Sequence, residues 1–315
     1  MLVIGVDIGG TSIKGAAVRP TGEVVDTFGF PVVKNDPYEN TIGTLVEEIK
    51  KFIAKLKDPR EVVGIGVGIP GLIDVNHGVV NYSCNLNWTE VPIQAILEKE
   101  IGLPVRITND ANAATLGEAK FGAGKLYKNL IMLTLGTGIG GGIIIDGKLF
   151  EGNEGKGAEM GHMTLVMDGE PCGCGRCGCF EQYASATALV RQTKKAMEEN
   201  KNSLMWELAE GDINKVNGRI PFEAEKQGDA TAHKVVDQYV KYLAEGILNY
   251  CNVLRPEAVI LSGGIANQGS YLNNKLTEYC INKKYGYAGA PATAIITAVL
   301  GYQSGMVGAA ALFYW

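Results

Sequence analysis

The amino-acid sequence predicts an α/β protein made of two duplicated halves. Strand patterns alternate with helical patterns along the chain, which is typical of α/β folds. Each half opens in the same way, with a strand, a glycine-rich turn and a second strand. At 315 residues the chain also exceeds the usual size of one hydrophobic core, so we expect two closely associated domains.

Three consecutive strands are predicted at the start of the chain, because short apolar runs alternate there with turn residues. They cover residues 2–7, 13–19 and 23–30. Apolar residues then recur at helical spacing over residues 42–56, and a buried strand is predicted at 62–69, where Pro70 and Gly71 stop it. The remaining elements of the first half are a helix near 92–98, a short strand at 105–108 and a helix over about 111–121.

The second half repeats this opening and then becomes mostly helical. Strands are predicted at 130–135 and 142–145, on either side of the glycine-rich turn at 136–140. Later segments are predicted as helices over 181–200 and around 236–251, a strand over 258–261 and a tail rich in small residues from Gly305. We expect an N-terminal α/β domain at residues 1–121, completed by a C-terminal helix at about 303–315, and a C-terminal α/β domain at 122–302.

Charge and hydropathy limit the classes of partner. Acidic and basic residues are interspersed and give a formal net charge of -5, so neither a nucleic acid nor a membrane is expected as the main partner. No apolar run approaches the ~20 residues of a membrane helix, and residues 1–6 lack the basic start and cleavage site of a secretory leader. We therefore expect a cytoplasmic protein that acts on a small molecule.

Two glycine-rich turns are candidate phosphate-binding loops. In the first, Gly9 and Gly10 are flanked by Asp7, Thr11 and Lys14. The backbone N–H groups, the Thr11 hydroxyl and the Lys14 ammonium can bind phosphate there, while the Asp7 carboxylate can orient Mg²⁺. A plain hairpin turn is the alternative for this segment alone. The second turn, at residues 136–142, is too rich in glycine for a simple connection, because each glycine costs roughly 0.5–1 kcal/mol of ordering.

Four cysteines crowd between Cys172 and Cys179 and are interleaved with glycines. In a reducing compartment this pattern indicates metal binding, with two disulfides as the alternative. Zinc is the expected metal, and four ligands would make a closed structural site. The spacing alone does not decide which residues are the ligands.

The combined motifs resemble the ROK family of sugar kinases and repressors, within the superfamily of actin, hexokinase and the Hsp70 ATPase. The resemblance rests on DIGGTxxK at residues 7–14, NDxNAA at 109–114, the glycine-rich run at 135–142 and the cysteine cluster, and it spans most of the chain. It implies a two-domain ribonuclease H-like (actin-like ATPase) fold with duplicated halves and an interdomain cleft. The zinc-binding insert would occupy residues 162–181.

The resemblance also implies roles for single residues. Those expected at ATP and Mg²⁺ are Asp7, Gly9, Gly10, Thr11, Lys14, Thr137, Gly138, Gly263 and Gly264. Those expected at the sugar are Gly71, Asn109, Asp110, Glu159, His162 and Glu181. Asp110 is the expected general base, because phosphoryl transfer to a hydroxyl needs a carboxylate to accept the proton. Without the resemblance, Asn109 and Asp110 would be interpreted as a helix N-cap.

For the metal, the resemblance implies structural zinc on His162, Cys172, Cys174 and Cys179, with Cys177 as a spare thiol. A site of four cysteines, which would free His162, is the alternative. A bound zinc would hold Glu159 and Glu181 in place for the sugar.

The sequence therefore predicts an ATP-dependent hexose kinase, most simply one that converts D-glucose to glucose 6-phosphate in glycolysis. Mannose, fructose, allose and N-acetylmannosamine are the alternative sugars. A sugar-sensing regulator without catalytic activity is the alternative class; we expect no DNA-binding domain, because Asp7 already belongs to the first loop. Relatives suggest a homodimer or a higher homo-oligomer.

Overall fold

The computed structural model describes residues 1–34, 36–281, 283 and 291–314. The chain divides into two compact units. The first comprises Met1–Asn129, Gly142–Ala158 and Val299–Trp315, and the second comprises Leu130–Gly141 and Glu159–Ala298. The domain boundaries expected from the sequence stay a prediction, and Trp315, the last residue of the predicted C-terminal helix, lies outside the described residues.

Thirteen strands are described. They are β1 (Leu2–Ile8), β2 (Ser12–Val18), β3 (Val24–Pro31), β4 (Val62–Ile69), β5 (Leu72–Asp74), β6 (Val79–Ser83), β7 (Trp88–Val91), β8 (Val105–Asn109), β9 (Leu130–Leu135), β10 (Ile139–Ile145), β11 (Lys148–Phe150), β12 (Ala258–Ser262) and β13 (Ala294–Thr297).

Ten α-helices are described. They are α1 (Tyr38–Lys55), α2 (Ile93–Ile101), α3 (Asp110–Phe121), α4 (Glu181–Ala184), α5 (Ala186–Glu199), α6 (Met205–Leu208), α7 (Ile220–Lys226), α8 (Ala230–Leu254), α9 (Ser270–Ile281) and α10 (Ser304–Ala311). None of the helices in the described part of the chain is both long enough and apolar enough to cross a membrane.

The two large sheets share one plan. The first has the strand order β3-β2-β1-β4-β8, and the second has the order β11-β10-β9-β12-β13. In the first sheet β1 is antiparallel to β2 and parallel to β4, which is parallel to β8. In the second sheet β10 is antiparallel to β11, and β9 is parallel to β12, which is parallel to β13. The duplication predicted from the glycine-rich turns is thus visible in the topology.

The first sheet is covered on both faces because side chains of β1 alternate in direction. Ile4 and Val6 join the buried cluster that contains Ile42 and Leu45 of α1. Val3 faces the other side and packs with Met306 and other residues of α10. On that side a Cβ at Gly5 would lie 1.9 Å from the Met306 carbonyl oxygen, so only glycine lets the helix approach this closely.

Strands β11 and β13 and helices α6, α7 and α9 were not predicted from the sequence, and three further differences concern the predicted segments and the first half. The helix predicted over 181–200 is divided into α4 and α5, because Ser185 is extended and its Oγ accepts a hydrogen bond from the Ala188 N–H as the N-cap of α5. Strand β10 begins at Ile139, inside the glycine-rich run. The three-stranded sheet β5-β6-β7 was not predicted from the sequence.

Candidate active site and metal centre

The first glycine turn connects β1 to β2 and carries Asp7 at the carboxyl end of β1. Asp7 pairs with Lys14 across the hairpin, and the Gly9 N–H donates to the Ser12 carbonyl at 2.9 Å. A Cβ at Gly10 would lie 3.5 Å from Asn85 Cβ, which places the segment after β6 beside the turn. Thr11 and Lys14 are exposed, so the hydroxyl and the ammonium remain accessible to a ligand.

Asn109 and Asp110 lie at the start of α3, at the same edge of the sheet. The parallel register aligns Asp7 with Gly68 and Gly68 with Thr108, so the ends of β1, β4 and β8 lie side by side. A Cβ at Gly68 would lie 3.5 Å from Asp110 Cα, and its absence lets α3 begin close to the sheet. The structure thus brings the candidate base and the candidate magnesium ligand to one edge.

Asn109, rather than Asp110, is the N-cap of α3. Its Oδ1 accepts hydrogen bonds from the N–H groups of Ala111 at 2.9 Å and Asn112 at 3.3 Å. Its Nδ2 donates to the Gly71 carbonyl at 3.1 Å. Asp110 is the first residue of the helix, and its Oδ1 also accepts from the Ala111 N–H at 2.9 Å. Capping therefore does not depend on the Asp110 carboxylate alone.

Both carboxylates of this edge hold protons more readily than a carboxylate in water. Burial and then the nearby Asp110 raise the pKa of Asp7 to about 6, while Lys14 opposes the shift. Burial also raises the pKa of Asp110, against hydrogen bonds that favour its charged form, the largest of them from Ala111. Two carboxylates whose pKa values are raised in one place are typical of a functional site.

The second unit contains the second glycine turn, between β9 and β10, and beside it the turn that follows β12. The Gly136 N–H donates to the Gly138 carbonyl at 3.1 Å, and Thr137 is exposed at the tip. A Cβ at Gly263 would lie 2.5 Å from the Leu135 carbonyl oxygen, so the two turns lie against each other. No described heavy atom lies within 4 Å of a Cβ built at Gly136 or Gly264. This open backbone fits a nucleotide phosphate or sugar.

Glu159 and His162 flank a short 3-10 turn, Met160–His162, that packs on the second glycine turn. A Cβ at Gly161 would lie 2.0 Å from the Ile139 carbonyl oxygen, and Tyr250 donates its hydroxyl hydrogen to the Met160 carbonyl at 2.5 Å. Glu159 is exposed, whereas the His162 side chain is about one third exposed (36%). The backbone of the turn is therefore held from both sides.

His162, Cys172, Cys174 and Cys179 form the candidate metal centre. Their ligand atoms all lie within 4.8 Å of one another. Cys174 Sγ and Cys179 Sγ are 3.6 Å apart, as are Cys172 Sγ and His162 Nδ1. Tetrahedral zinc with Zn–S bonds of about 2.3 Å separates two sulfurs by roughly 3.8 Å, so the four residues fit a closed zinc site. Cys177 is not part of this group.

Each unit holds part of the predicted site. Gly71, Asn109 and Asp110 come together in the first unit, and His162 and Glu181 come together in the second, where Glu159 lies three residues before His162. Sequence reasoning missed Gly305, at which a Cβ would lie 2.7 Å from Asp7 Cγ. The small-residue tail that contains Gly305 was the available signal, because a helix needs small residues where it approaches another group closely.

A model of the ROK family matches residues 3–314 of the chain. A glucokinase of Streptomyces coelicolor is 35% identical over 313 residues, which are 99% of this chain and 97% of that protein. A xylose repressor of Caldicellulosiruptor bescii is 32% identical over 279 residues, which are 88% of this chain and 69% of the repressor. The crystal structure of a ROK family glucokinase from Streptomyces griseus, in complex with glucose and AMPPNP, is 35% identical, covers 99% of both chains and gives a TM-score of 0.81.

Proposed function

Because this chain belongs to the ROK family, we propose that it catalyses the ATP-dependent phosphorylation of a hexose, with D-glucose as the substrate and glucose 6-phosphate as the product. The similarity to glucokinases over nearly the whole chain supports the activity. The Asp110 carboxylate at the start of α3, which is partly buried and whose pKa is raised by desolvation, is the structural observation that carries the proposal.

In the proposed reaction Asp110 accepts the proton of the sugar 6-hydroxyl as the hydroxyl oxygen attacks the γ-phosphorus and ADP leaves. A general base of this kind contributes typically ~10²–10⁴-fold. The raised pKa of Asp110 makes the carboxylate a stronger base than one in water. Asn109 holds the start of the helix and the Gly71 carbonyl together, so it orients the base and the sugar-binding backbone at once.

The glycine turns and the carboxylate of Asp7 would hold Mg-ATP. Bound Mg²⁺ would supply charge that offsets the developing negative charge on the phosphates. We assign Asp7 to the metal, and we assign Gly9, Gly10, Thr11, Lys14, Thr137 and Gly138 to the phosphates. Gly263 and Gly264 are assigned to the nucleoside, since the backbone at Gly264 is open. Asp7 and Lys14 lie opposite each other in the hairpin. The carboxylate can therefore bind a cation and the ammonium can bind an anion at the same turn.

His162, Cys172, Cys174 and Cys179 would hold zinc as a closed structural centre, with no open position for catalysis. Its contribution would be to fix the loop that carries Glu159, His162 and Glu181, which we assign to the sugar hydroxyls. Glu181 Oε1 lies 3.8 Å from His162 Nδ1, so the Glu181 carboxylate lies directly beside the cluster.

The experiment is ADP release from Mg-ATP with glucose, mannose, fructose, allose and N-acetylmannosamine, for the wild type and for Asp110→Asn. Glucose-dependent turnover that falls by about 10²-fold or more in the variant supports the proposal. Turnover with another sugar alone would correct the substrate and keep the base. Absence of turnover with every sugar would refute the kinase.

A sugar-responsive regulator is the second candidate function, and the similarity to a xylose repressor favours it. Such a protein would bind sugar without turnover, so the same assay separates the two. We also propose that the protein is cytoplasmic, that it binds neither nucleic acid nor membrane, and that it forms a homodimer or a higher homo-oligomer. Sedimentation velocity of the purified protein tests the assembly.

A further inference from the structure

Glu118, in the third turn of α3, is a completely buried carboxylate that none of the proposed roles uses. It is 0% exposed, and it accepts three hydrogen bonds from backbone N–H groups. Oε2 accepts from Ala123 at 2.9 Å, while Oε1 accepts from Val299 at 2.9 Å and from Leu300 at 2.7 Å. A buried carboxylate with so many donors is costly to disturb, because each donor left unpaired would stay buried without a hydrogen-bond partner.

The three donors belong to two segments of the first unit, one that follows α3 and one that precedes α10. Ala123 follows the end of α3, and the chain leaves the first unit after Asn129. Val299 is the residue at which the chain returns to the first unit for the last time, and α10 begins soon after it. One side chain therefore holds the backbone of two segments of the first unit, and one of these segments is 181 residues away from it in sequence.

The turn after α3 is shaped around this carboxylate. The Gly122 N–H and the Gly124 N–H donate to the Glu118 carbonyl at 3.0 and 2.9 Å. A Cβ at Gly122 would lie 2.0 Å from Glu118 Oε2, so any larger residue there must displace the carboxylate. Glycine at this position keeps room for the Glu118 side chain, which is evidence that the contact shapes the local backbone.

The same helix carries the proposed base. Asp110 is the first residue of α3, and Glu118 lies eight positions later, about 12 Å along the axis. We infer that Glu118 is a positioning residue for phosphoryl transfer, which anchors α3, and with it Asp110, to the segment that follows α3 and to the segment that precedes α10. This inference rests on the proposed function. It adds that the orientation of the base depends on a contact far from the reacting atoms.

The test compares wild type with Glu118→Gln. This variant keeps the size and shape of the side chain, but its NH₂ group faces a backbone N–H and two donors cannot form a hydrogen bond. Hydrogen exchange at the amides of Ala123, Val299 and Leu300 should quicken by about tenfold or more. The kcat should fall by roughly 10- to 10²-fold, because small misplacements of a catalytic group cost that much. The KM for glucose should change by less than about threefold, as when an interaction needed only in the transition state is lost.

Glu98→Gln is the matched control. Glu98 Oε1 accepts from the Val105 N–H at 3.0 Å in the same unit, but Val105 belongs to β8 rather than to either segment that Glu118 holds. This variant should quicken exchange near Val105 and leave kcat unchanged. If Glu118→Gln fails to fold, Gly122→Ala is measured in its place, since its methyl group would displace the same carboxylate. The same changes in exchange and kcat are then expected.

Faster exchange at these amides with an unchanged kcat would overturn the positioning role, and so would an equal loss of kcat in Glu98→Gln. Unprotected Val299 and Leu300 amides in the wild type would overturn the anchor itself. If the wild type phosphorylates no hexose, the proposed function is refuted instead. The exchange data alone would then show whether Glu118 holds the two segments.

Discussion

Glu181 Oε2 accepts a hydrogen bond of 3.3 Å from the backbone N–H of Ile139, the residue at which β10 begins. The other oxygen of the same carboxylate lies 3.1 Å from Cys172 Sγ. A Cβ at Gly138 would lie 2.4 Å from Oε2, so glycine is required for this approach. The Glu181 side chain thus connects the second glycine turn to the Cys/His cluster. Loss of a metal from the cluster should therefore change the structure of the turn.

Removal of a ligand thiol should release zinc, whereas removal of Cys177 should not. We expect about one zinc ion per chain in the wild type and in Cys177→Ala, and a loss of zinc in Cys174→Ala, because only Cys174 belongs to the cluster. Both side chains are exposed, so the two variants are matched in burial. Elemental analysis of the purified proteins is the measurement, with glucose KM as a second readout. Zinc loss in Cys177→Ala would show that the fourth ligand is a cysteine rather than His162.

Replacement of Asn109 by alanine should weaken both the fold and sugar binding. The cap of α3 would lose two hydrogen bonds, which lowers the free energy of unfolding by about 1 kcal/mol. The tie to the Gly71 carbonyl would be lost as well, so the KM for glucose should rise. Chemical denaturation and steady-state kinetics measure the two effects.

Asp229→Ala is the control for this prediction. Asp229 caps α8 by accepting from the Ala232 N–H at 2.7 Å, in the second unit. It should lose a similar amount of stability with no change in KM. A KM that rises equally in both variants would attribute the effect to general destabilisation.

The raised pKa of Asp7 predicts a pH-dependent stability in the absence of Mg²⁺ and nucleotide. Because the pKa is about 6 in the folded chain and lower in the unfolded chain, the folded chain binds the additional proton between about pH 4 and pH 6. The contribution of Asp7 to the free energy of unfolding therefore falls as the pH rises through this window. Asp7→Asn removes the titrating group, so the variant should be more stable than wild type at pH 7 by about 1 kcal/mol or more.

Urea denaturation at pH 4, 5, 6 and 7 checks this difference. The exposed Asp26→Asn serves as the control and should follow the wild type. Parallel stability curves for wild type and Asp7→Asn would contradict the prediction. The variant should also lose affinity for Mg-ATP, because the proposed magnesium ligand is gone.

Gly305→Ala, in the C-terminal helix α10, should alter the first phosphate-binding turn. Its methyl group would lie 2.7 Å from Asp7 Cγ, so the carboxylate must move, and we expect the KM for ATP to rise several-fold. Gly43→Ala is the control, because Gly43 is exposed in α1 and no described atom lies within 4 Å of its Cβ position. Gly43→Ala should gain about 0.5–1 kcal/mol of stability with unchanged kinetics. An unchanged KM for ATP in Gly305→Ala would mean that Asp7 does not hold the magnesium.

Local pattern in the sequence was sufficient for the elements that are short and strongly apolar. The strand predicted at 62–69 coincides with β4, and the strand predicted at 130–135 coincides with β9. The duplicated plan of the two sheets also followed from the sequence, through its two glycine-rich turns. Period and turn chemistry are local properties, so they can be read from neighbouring residues.

The motifs also pointed to the residues of the candidate site. The resemblance selected His162, Cys172, Cys174 and Cys179, and the structure brings their ligand atoms together. Their assignment to zinc, like the role of Asp110, stays a prediction. Spacing alone left Cys177 open, because glycines allow several foldings of the loop.

Only the tertiary structure decided which distant groups meet. Gly305 faces Asp7 across nearly the whole length of the chain, and Glu118 meets Val299 over 181 residues. The helix predicted over 181–200 ends early because Ser185 caps a second helix instead of continuing the first. Such contacts depend on the packing of elements far apart in sequence. The periodicity within one element does not indicate which other element it packs against.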